Sequence, residues 1–248
     1  AGAPPKSVTS LLLTQLTAEF TSKDAVESIL QYLKYGPSDI ADTAAAILLD
    51  LFSQGGPKRS ELIGKAIEVL LSAPNLNLDK FSLLAKLQLK KCAAKNDISC
   101  LVTWLASWLH VDGNAAWDWV EEYLKSENIV PNPLIQKLAS HLETTYSTNR
   151  QTRLTQDYTS PELLLRMIPT FYKHIRFEDD ISREGVYSPD ERDHAQDFRG
   201  RLPSILANMT GAEAQKALQI LAKEADLPRL SKWLTALSEK QAAKSVVH

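Results

Sequence analysis

Residues 172–209 read YKHIRFEDDISREGVYSPDERDHAQDFRGRLPSILANM and form the most charged stretch of the chain. The first half of this stretch sets acids and arginines around Phe177 and Ile181. The second half contains Ser-Pro-Asp-Glu, which predicts a helix start with Ser188 as the N-cap and Glu191 closing a capping box. The stretch is therefore predicted to connect helices in an all-helical scaffold.

The segment from Arg176 to Pro189 is predicted to be an ordered connector. A disordered linker would be rich in Gly, Ser and Pro, whereas here an aromatic or branched apolar residue recurs along the segment. An exposed ion pair contributes only about 0–1 kcal/mol, while burying one apolar ring contributes roughly 1.5–3 kcal/mol. We therefore expect buried Phe177, Ile181 and Tyr187 to supply most of the order.

On both sides of this stretch, apolar residues recur at helical spacing between short turns that contain Gly, Pro and capping residues. In one such segment Leu163, Met167, Phe171 and Ile175 recur every four positions, and Pro169 within it predicts a kinked or split helix. No alternating run of β-branched residues indicates a strand. These patterns predict an all-α protein with about a dozen helices.

The predicted helices are joined by short connections, which favours consecutive antiparallel hairpins of roughly 35–45 residues. Such a series is typical of an irregular α-solenoid of HEAT-like hairpins, with a compact bundle as the competing architecture. The polar segment 147–159 is predicted to be a loop or internal boundary. It would separate an N-terminal helical-repeat array, residues 1–146, from C-terminal hairpins at residues 160–248 that include the charged connector.

Composition limits the classes of partner. The 248 residues include 28 Lys and Arg against 30 Asp and Glu, so no charge excess favours nucleic acid or an anionic membrane. Scattered lysines are the only support for nucleic-acid binding: Lys86, Lys90, Lys91 and Lys95. No apolar run approaches the roughly 20 residues of a membrane span. The first residues lack a signal-peptide pattern and an initiator Met, which suggests a piece of a longer protein.

The two cysteines, Cys92 and Cys100, are predicted to be reduced thiols packed as small apolar residues. A disulfide would have to join two helices across the bend at 93–99. A zinc site would need two more ligands, and His110 is the only candidate nearby. Reduced thiols are typical of a cytoplasmic protein, so a cytoplasmic location is expected.

No complete catalytic motif stands out. The nearest phosphate-loop match, Gly-Lys-Ala at 64–66, lacks the preceding glycine and the following hydroxyl that bind phosphate and Mg²⁺. On a helix starting at Pro189, the side chains of Asp190, His194 and Asp197 would share a face and could serve a small metal-dependent hydrolase. Because acids and arginines alternate there, a solvated, ion-paired face is preferred, and no catalytic residue, metal or cofactor is predicted.

Aromatic residues are concentrated on two consecutive predicted helices: Trp104, Trp108, Trp117, Trp119 and Tyr123. The ordinary interpretation of such a cluster is an inter-helix core. The alternative is an exposed anchor for a protein partner, with Trp104, Trp108 and Trp119 as the candidates.

One long pattern between residues 171 and 237 carries a resemblance to a known family. Its residues are His174-Ile175-Arg176, Glu178-Asp179-Asp180-Ile181, Arg183-Glu184-Gly185-Val186-Tyr187-Ser188-Pro189, Arg192-Asp193, Ala195-Gln196-Asp197-Phe198-Arg199, Arg201-Leu202, Gly211, Ala214, Ala217-Leu218, Leu221 and Trp233-Leu234. This part of the chain resembles the C-terminal helical region of bacterial NACHT-type STAND NTPases, which include antiviral members.

The resemblance implies a role within a larger protein. In that family an N-terminal effector precedes an NTPase core, and C-terminal helical repeats recognise a trigger and control oligomerisation. The present chain carries neither effector nor NTPase motifs, so the resemblance implies a non-catalytic, protein-binding sensor or scaffold module. Its expected partners are a trigger protein and other domains of the parent chain, without nucleic acid or membrane.

Overall fold

The computed structural model describes residues 6–24, 29–127, 131–148, 159–183, 185–223 and 230–236. Within these ranges the regular structure consists of α-helices and short 3-10 turns, without a strand. The all-α prediction is confirmed. None of the helices in these ranges is both long enough and apolar enough to cross a membrane.

The helices follow one another with short connections. They are α1 (Lys6–Thr21), α2 (Ile29–Leu33), α3 (Ser38–Gln54), α4 (Glu61–Ser72), α5 (Leu78–Ala94), α6 (Ile98–Val111), α7 (Gly113–Glu127), α8 (Pro133–Thr148), α9 (Pro161–His174), α10 (Glu191–Asn208) and α11 (Ala212–Leu221). Residues 230–236 are also helical. The chain forms two compact units, and the division between them falls after Asp112.

In the first unit, helices two apart in the chain pack on each other. Helix α3 packs on α1 and α5, and α4 packs on α2 and α6. Consecutive helices also pack together, most extensively α3 with α4 and α5 with α6. Helices α1, α3 and α5 therefore form one layer and α2, α4 and α6 the other, which is the arrangement of stacked helical hairpins.

A row of buried aromatic rings ties this unit together. The ring centroids of Phe20 and Phe52 lie 5.4 Å apart, and those of Phe52 and Trp104 lie 5.0 Å apart, both edge to face. The Trp104 ring also lies 6.1 Å from that of Phe81. Edge-to-face pairs are favoured by the ring quadrupole. Because Trp104 belongs to α6 and the three phenylalanines to α1, α3 and α5, the row joins the two layers.

The turn between α5 and α6 overturns the prediction of two reduced thiols. Asn96 adopts a left-handed conformation, with φ 53°, and the carboxylate of Asp97 caps α6 by accepting from the amide of Cys100 at 3.0 Å. The tight turn brings the Cα atoms of Cys92 and Cys100 to 5.8 Å, and the two sulfurs form a disulfide. The cysteines therefore give no support to the expected cytoplasmic location.

The second unit repeats the same alternation of contacts. Helix α9 packs on α7 and α11, while α8 packs extensively on α10. The rings of Trp117 and Phe171 lie 5.6 Å apart, and Phe171 meets Phe198 edge to face at 5.2 Å. Helix α9 continues through Pro169, contrary to a split at that residue. Buried Met167 and Phe171 on either side of the proline keep both halves packed in the same core.

Two finer predictions about architecture stay predictions. The alternating contacts within each unit support stacked hairpins. A HEAT-like solenoid would require the hairpins to stack along the whole chain, so the solenoid stays a prediction. The expected boundary at 147–159 includes residues 149–158, which lie outside the described ranges. Compactness instead divides the chain between Asp112 and Gly113.

The aromatic row predicts a large stability difference between two aromatic substitutions. Phe52→Ala should lower the free energy of unfolding by about 3–5 kcal/mol, because it empties a site that both Phe20 and Trp104 contact. Tyr32→Ala is the control, since the Tyr32 side chain is 68% exposed and its loss should cost roughly 0.5 kcal/mol or less. Urea unfolding followed by circular dichroism measures both, and equal losses would contradict the role of the row.

Candidate functional site

The charged connector, residues 176–189, leads into α10, whose start differs from the prediction. Asp190 is the N-cap, and its side chain accepts from the amides of Arg192 and Asp193. The Asp193 carboxylate in turn accepts from the amide of Asp190 at 2.9 Å. The capping box is thus formed by Asp190 and Asp193 instead of Ser188 and Glu191. A carboxylate can accept from several amides at the positive end of the helix dipole, which favours aspartate over serine there.

Arg199 of α10 holds the first part of the connector. Its side chain is buried, and Nη1 donates to the carbonyl of Ile175 at 2.7 Å and to Oδ1 of Asp180 at 2.9 Å. Nη2 donates to the other oxygen of Asp180 at 2.5 Å. The guanidinium also lies 4.2 Å from the ring centroid of Phe177 and 5.5 Å from that of Tyr172. This combination of forked pairing and stacking suits arginine and excludes lysine.

Arg183 holds the second part of the connector from within. Its guanidinium pairs with Asp190, and its Nε lies 3.1 Å from a carboxylate oxygen of the buried Asp193. The same guanidinium lies 5.3 Å from the ring centroid of Tyr187. The capping box of α10 therefore also anchors the chain that precedes it.

Two further side chains of α10 bind the connector backbone. The Oε1 atom of Gln196 accepts from the amide of Ile181 at 2.8 Å, and its Nε2 atom donates to the carbonyl of Ile181 at 3.4 Å. Arg192 donates to the carbonyl of Arg176 at 3.1 Å. The connector thus lies along the polar side of α10 and is held there by hydrogen bonds.

The predicted burial of the connector's apolar residues is wrong for two of the three. Ile181 is 43% exposed and Tyr187 is 46% exposed, while Phe177 is partly buried under Arg199. Val186 is fully exposed. Polar side chains of α10 occupy the inner side of the connector, and Ile181, Val186 and Tyr187 are left exposed.

Asp190, His194 and Asp197 do not form the single acidic face that the sequence suggested. As N-cap, Asp190 has an extended backbone, with φ −99° and ψ −175°, and its carboxylate turns back onto the first turn. His194 and Asp197 instead lie within electrostatic reach of Glu143 of α8. Burial raises the pKa of the Glu143 carboxyl, and the positive charge of its partner Arg201 opposes that shift.

The geometry gives no support to a metal or nucleotide site. Among the residues that the structure describes, no three His, Cys, Asp or Glu side chains are grouped closely enough to hold a metal ion. The Gly-Lys-Ala sequence at 64–66 lies inside α4, where the backbone amides belong to a helix and cannot form a phosphate cradle. The absence of a metal and of a cofactor stays a prediction.

An open pocket of about 360 Å³ lies where α8 meets the start of α10. It is lined by Gln136, Asp190, Glu191 and Arg192. The described lining mixes an amide with charges of both signs. These side chains offer hydrogen bonds and ion pairs to a polar ligand.

The tryptophan candidates separate into buried and accessible residues. Trp104 and Trp108 are only 1% and 3% exposed, so their rings form core instead of an exposed anchor. Trp117 is also fully buried, in the second unit. Trp119 is half-buried and stacks on Tyr123, with ring centroids 5.1 Å apart. It is the one of the three candidate anchors whose ring solvent reaches.

Sequence reasoning missed the central position of Arg199. It was one of many arginines in the stretch, and its partner Asp180 lies 19 residues away. The signal that could have found it is its neighbour Phe198, which is buried in the core and sets the arginine at the inner edge of the helix.

Loss of the buried arginine should destabilise the chain strongly. Arg199→Met should lower the free energy of unfolding by about 3 kcal/mol, because it removes the guanidinium donor to the carbonyl of Ile175 and leaves Asp180 with the longer contact to Arg192 at 3.5 Å. Arg176→Met is the matched control, because Arg176 pairs with Asp179 at the surface and should contribute roughly 0–1 kcal/mol. Denaturant unfolding measures the stability of both variants. A larger loss of stability in Arg176→Met than in Arg199→Met would contradict the role assigned to Arg199.

Stability should also depend on the protonation of His174. This side chain is buried at the end of α9, and burial lowers its pKa, with the positive charge of Lys173 acting in the same direction. An unfolded histidine has a pKa near 6.5, so below about pH 6.5 the unfolded state binds more protons and stability falls.

When the pH is lowered from about 7.5 to about 5.5, the melting temperature of His174→Gln should therefore fall less than that of the unchanged chain. Burial also lowers the pKa of His141, but that residue is present in both proteins and drops out of the comparison. If the melting temperatures of the two proteins fall in parallel across this range, His174 is not the source of the pH dependence.

Comparison with known proteins gives no relative for this chain. No family model matches it, and neither the curated proteins nor the solved structures contain a match. A function for the chain therefore rests on the connector geometry and on the resemblance carried by residues 171–237.

Proposed function

We propose that the chain is a non-catalytic, all-helical module that binds protein, and that the connector is a contact surface. The observation that carries this proposal is the exposure of Val186 and Tyr187 on a segment held at both ends by α10. Fixed loops with outward apolar side chains are suited to recognition, because little conformational freedom is lost on binding.

Tyr187 is the best anchor on this surface. Its ring is 46% exposed and stays beside the guanidinium of Arg183, which limits its rotation. Tyrosine is enriched among residues that dominate interface energies, because it offers a large apolar ring with a polar tip. Val186 and Ile181 extend the apolar area on the same connector.

The charged groups of the connector favour binding. The Asp180 carboxylate accepts from Arg199, the Asp193 carboxylate accepts from Arg183, and the Asp190 carboxylate accepts from amides of the first turn of α10. The oxygens of these three carboxylates are already occupied by donors from the chain itself, so they hold the connector in place. The connector therefore supplies a shaped surface for a partner.

The resemblance of residues 171–237 supports a place for this module in a larger bacterial NACHT-type STAND NTPase. In that setting the module would recognise a trigger protein and transmit the contact to the NTPase and effector parts of the parent chain. A role in antiviral defence follows from the same resemblance. The stacked hairpins within each unit suit this role, because such arrays present extended binding surfaces.

A photoreactive benzoylphenylalanine at position 186 tests the proposal. In cells of the source organism it should cross-link to a discrete protein, which is then identified and purified. Tyr187→Ala should weaken binding of that protein at least about tenfold, whereas Tyr32→Ala, at a more exposed tyrosine of the first unit, should leave it unchanged. No specific cross-link, or equal effects of the two variants, would count against the connector as a contact surface.

Calorimetry with Zn²⁺ and Mn²⁺ separates the module from the alternative of a metal-dependent hydrolase. We expect no stoichiometric binding, since the Asp190 carboxylate is engaged in capping α10 and the described residues include no group of three ligands. One tight site that disappears in His194→Ala would overturn the proposal in favour of the hydrolase.

A further inference from the structure

Helix α5 has two apolar sides, and only one of them belongs to the core. Its buried side consists of Phe81, Leu84, Ala85, Gln88, Leu89 and Cys92. On the other side Leu83 is 72% exposed and Leu87 is 43% exposed. These two leucines are one helical turn apart, so they form a continuous apolar strip that the first unit does not cover.

Lysines surround this strip. Lys86 and Lys90 lie one turn apart on the same side of the helix, and both are exposed. Lys91 and Lys95 continue the positive charge toward the end of the helix and are exposed as well. No aspartate or glutamate occurs between Lys80 and Asn96.

Within the described part of the chain, Lys86, Lys90, Lys91 and Lys95 form no ion pair with a neighbouring helix. Lys80 pairs with Asp50 of α3 at 2.6 Å, and it is the one lysine of α5 with an ion pair there. Helix α6, which packs on α5, contains no acid between Ile98 and Val111. Like charges one turn apart repel each other, so this face carries an electrostatic cost that an acidic partner would remove.

We infer that the Leu83–Lys90 face of α5 is a docking surface for an acidic amphipathic helix of a partner protein. The apolar side of that helix would cover Leu83 and Leu87, and carboxylates on its flanks would pair with Lys86 and Lys90. The disulfide from Cys92 to Cys100 ties the end of α5 to α6 and keeps the face in one position. The surface lies in the first unit and does not depend on the connector.

Two other polyanions fit the same face less well. Nucleic-acid surfaces generally combine lysines with arginines or aromatic rings that pair with phosphates or stack on bases, and this face has neither. An anionic membrane would attract the lysines, but membrane-bound helices bury a longer apolar strip than two leucines. The central position of the leucines therefore favours a helix of similar width.

The test uses the full chain and a labelled synthetic peptide, an acidic helix with leucines at every third and fourth position and glutamates on its flanks. Fluorescence anisotropy should show binding to this peptide and not to a matched peptide with lysines in place of the glutamates. Leu83→Ser with Leu87→Ser should weaken binding at least about tenfold. Leu11→Ser with Leu13→Ser is the control, because these leucines are also exposed but lie on α1.

A charge exchange provides the second arm. Lys86→Glu with Lys90→Glu should abolish binding of the acidic peptide and create binding of the lysine peptide. All four positions are exposed, so each variant should melt at the temperature of the unchanged chain.

Four outcomes would overturn the inference. One is equal binding of both peptides, and another is insensitivity to the leucine and lysine variants. The third is binding of duplex DNA or phosphatidylserine vesicles, and not of the peptide, with loss in the same variants. A dimer of the chain that dissociates in Leu83→Ser with Leu87→Ser would likewise replace the acidic helix by a second copy as the occupant.

Discussion

The buried guanidinium of Arg199 constrains the second unit more than any other polar group described. Burying a charge is costly unless the charge is paired and hydrogen-bonded, and here both oxygens of Asp180, the carbonyl of Ile175 and the ring of Phe177 contact the guanidinium. Its Nε is buried without a hydrogen-bond partner among the described atoms, which makes the remaining bonds more important. The end of α9, the first half of the connector and α10 are thereby fixed to one another.

This constraint also explains why the charged stretch presents apolar side chains to solvent. The arginines and acids on the side of the connector that faces α10 bind that helix. Ile181, Val186 and Tyr187 lie at exposed positions of the connector. The same residues would be poor choices for a surface with no partner, because exposed apolar area contributes nothing to stability. A rigid polar frame that displays apolar groups is a common basis for recognition.

The helices of the two units pack in the same way. In each of them, alternate helices stack to form layers, and aromatic rings bridge between neighbouring helices: the first row runs from Phe20 to Trp104, and the second from Trp117 to Phe198. Such stacking leaves one side of many helices open to solvent. Most of those sides are polar, which makes the leucines and uncompensated lysines of α5 an exception.

Sequence by itself determined the all-α class, because apolar residues that recur every 3.6 positions indicate a helix with one buried side. It also indicated an ordered connector and argued against a phosphate loop. The period does not report what covers that side, so burial of Trp104 and exposure of Tyr187 were settled by packing. Tertiary structure likewise decided the cap at Asp190, the pairing of Cys92 with Cys100 and the contacts of Arg199 with the connector. Each of these depends on a turn conformation or on residues distant in the chain, and neither leaves a periodic trace in the sequence.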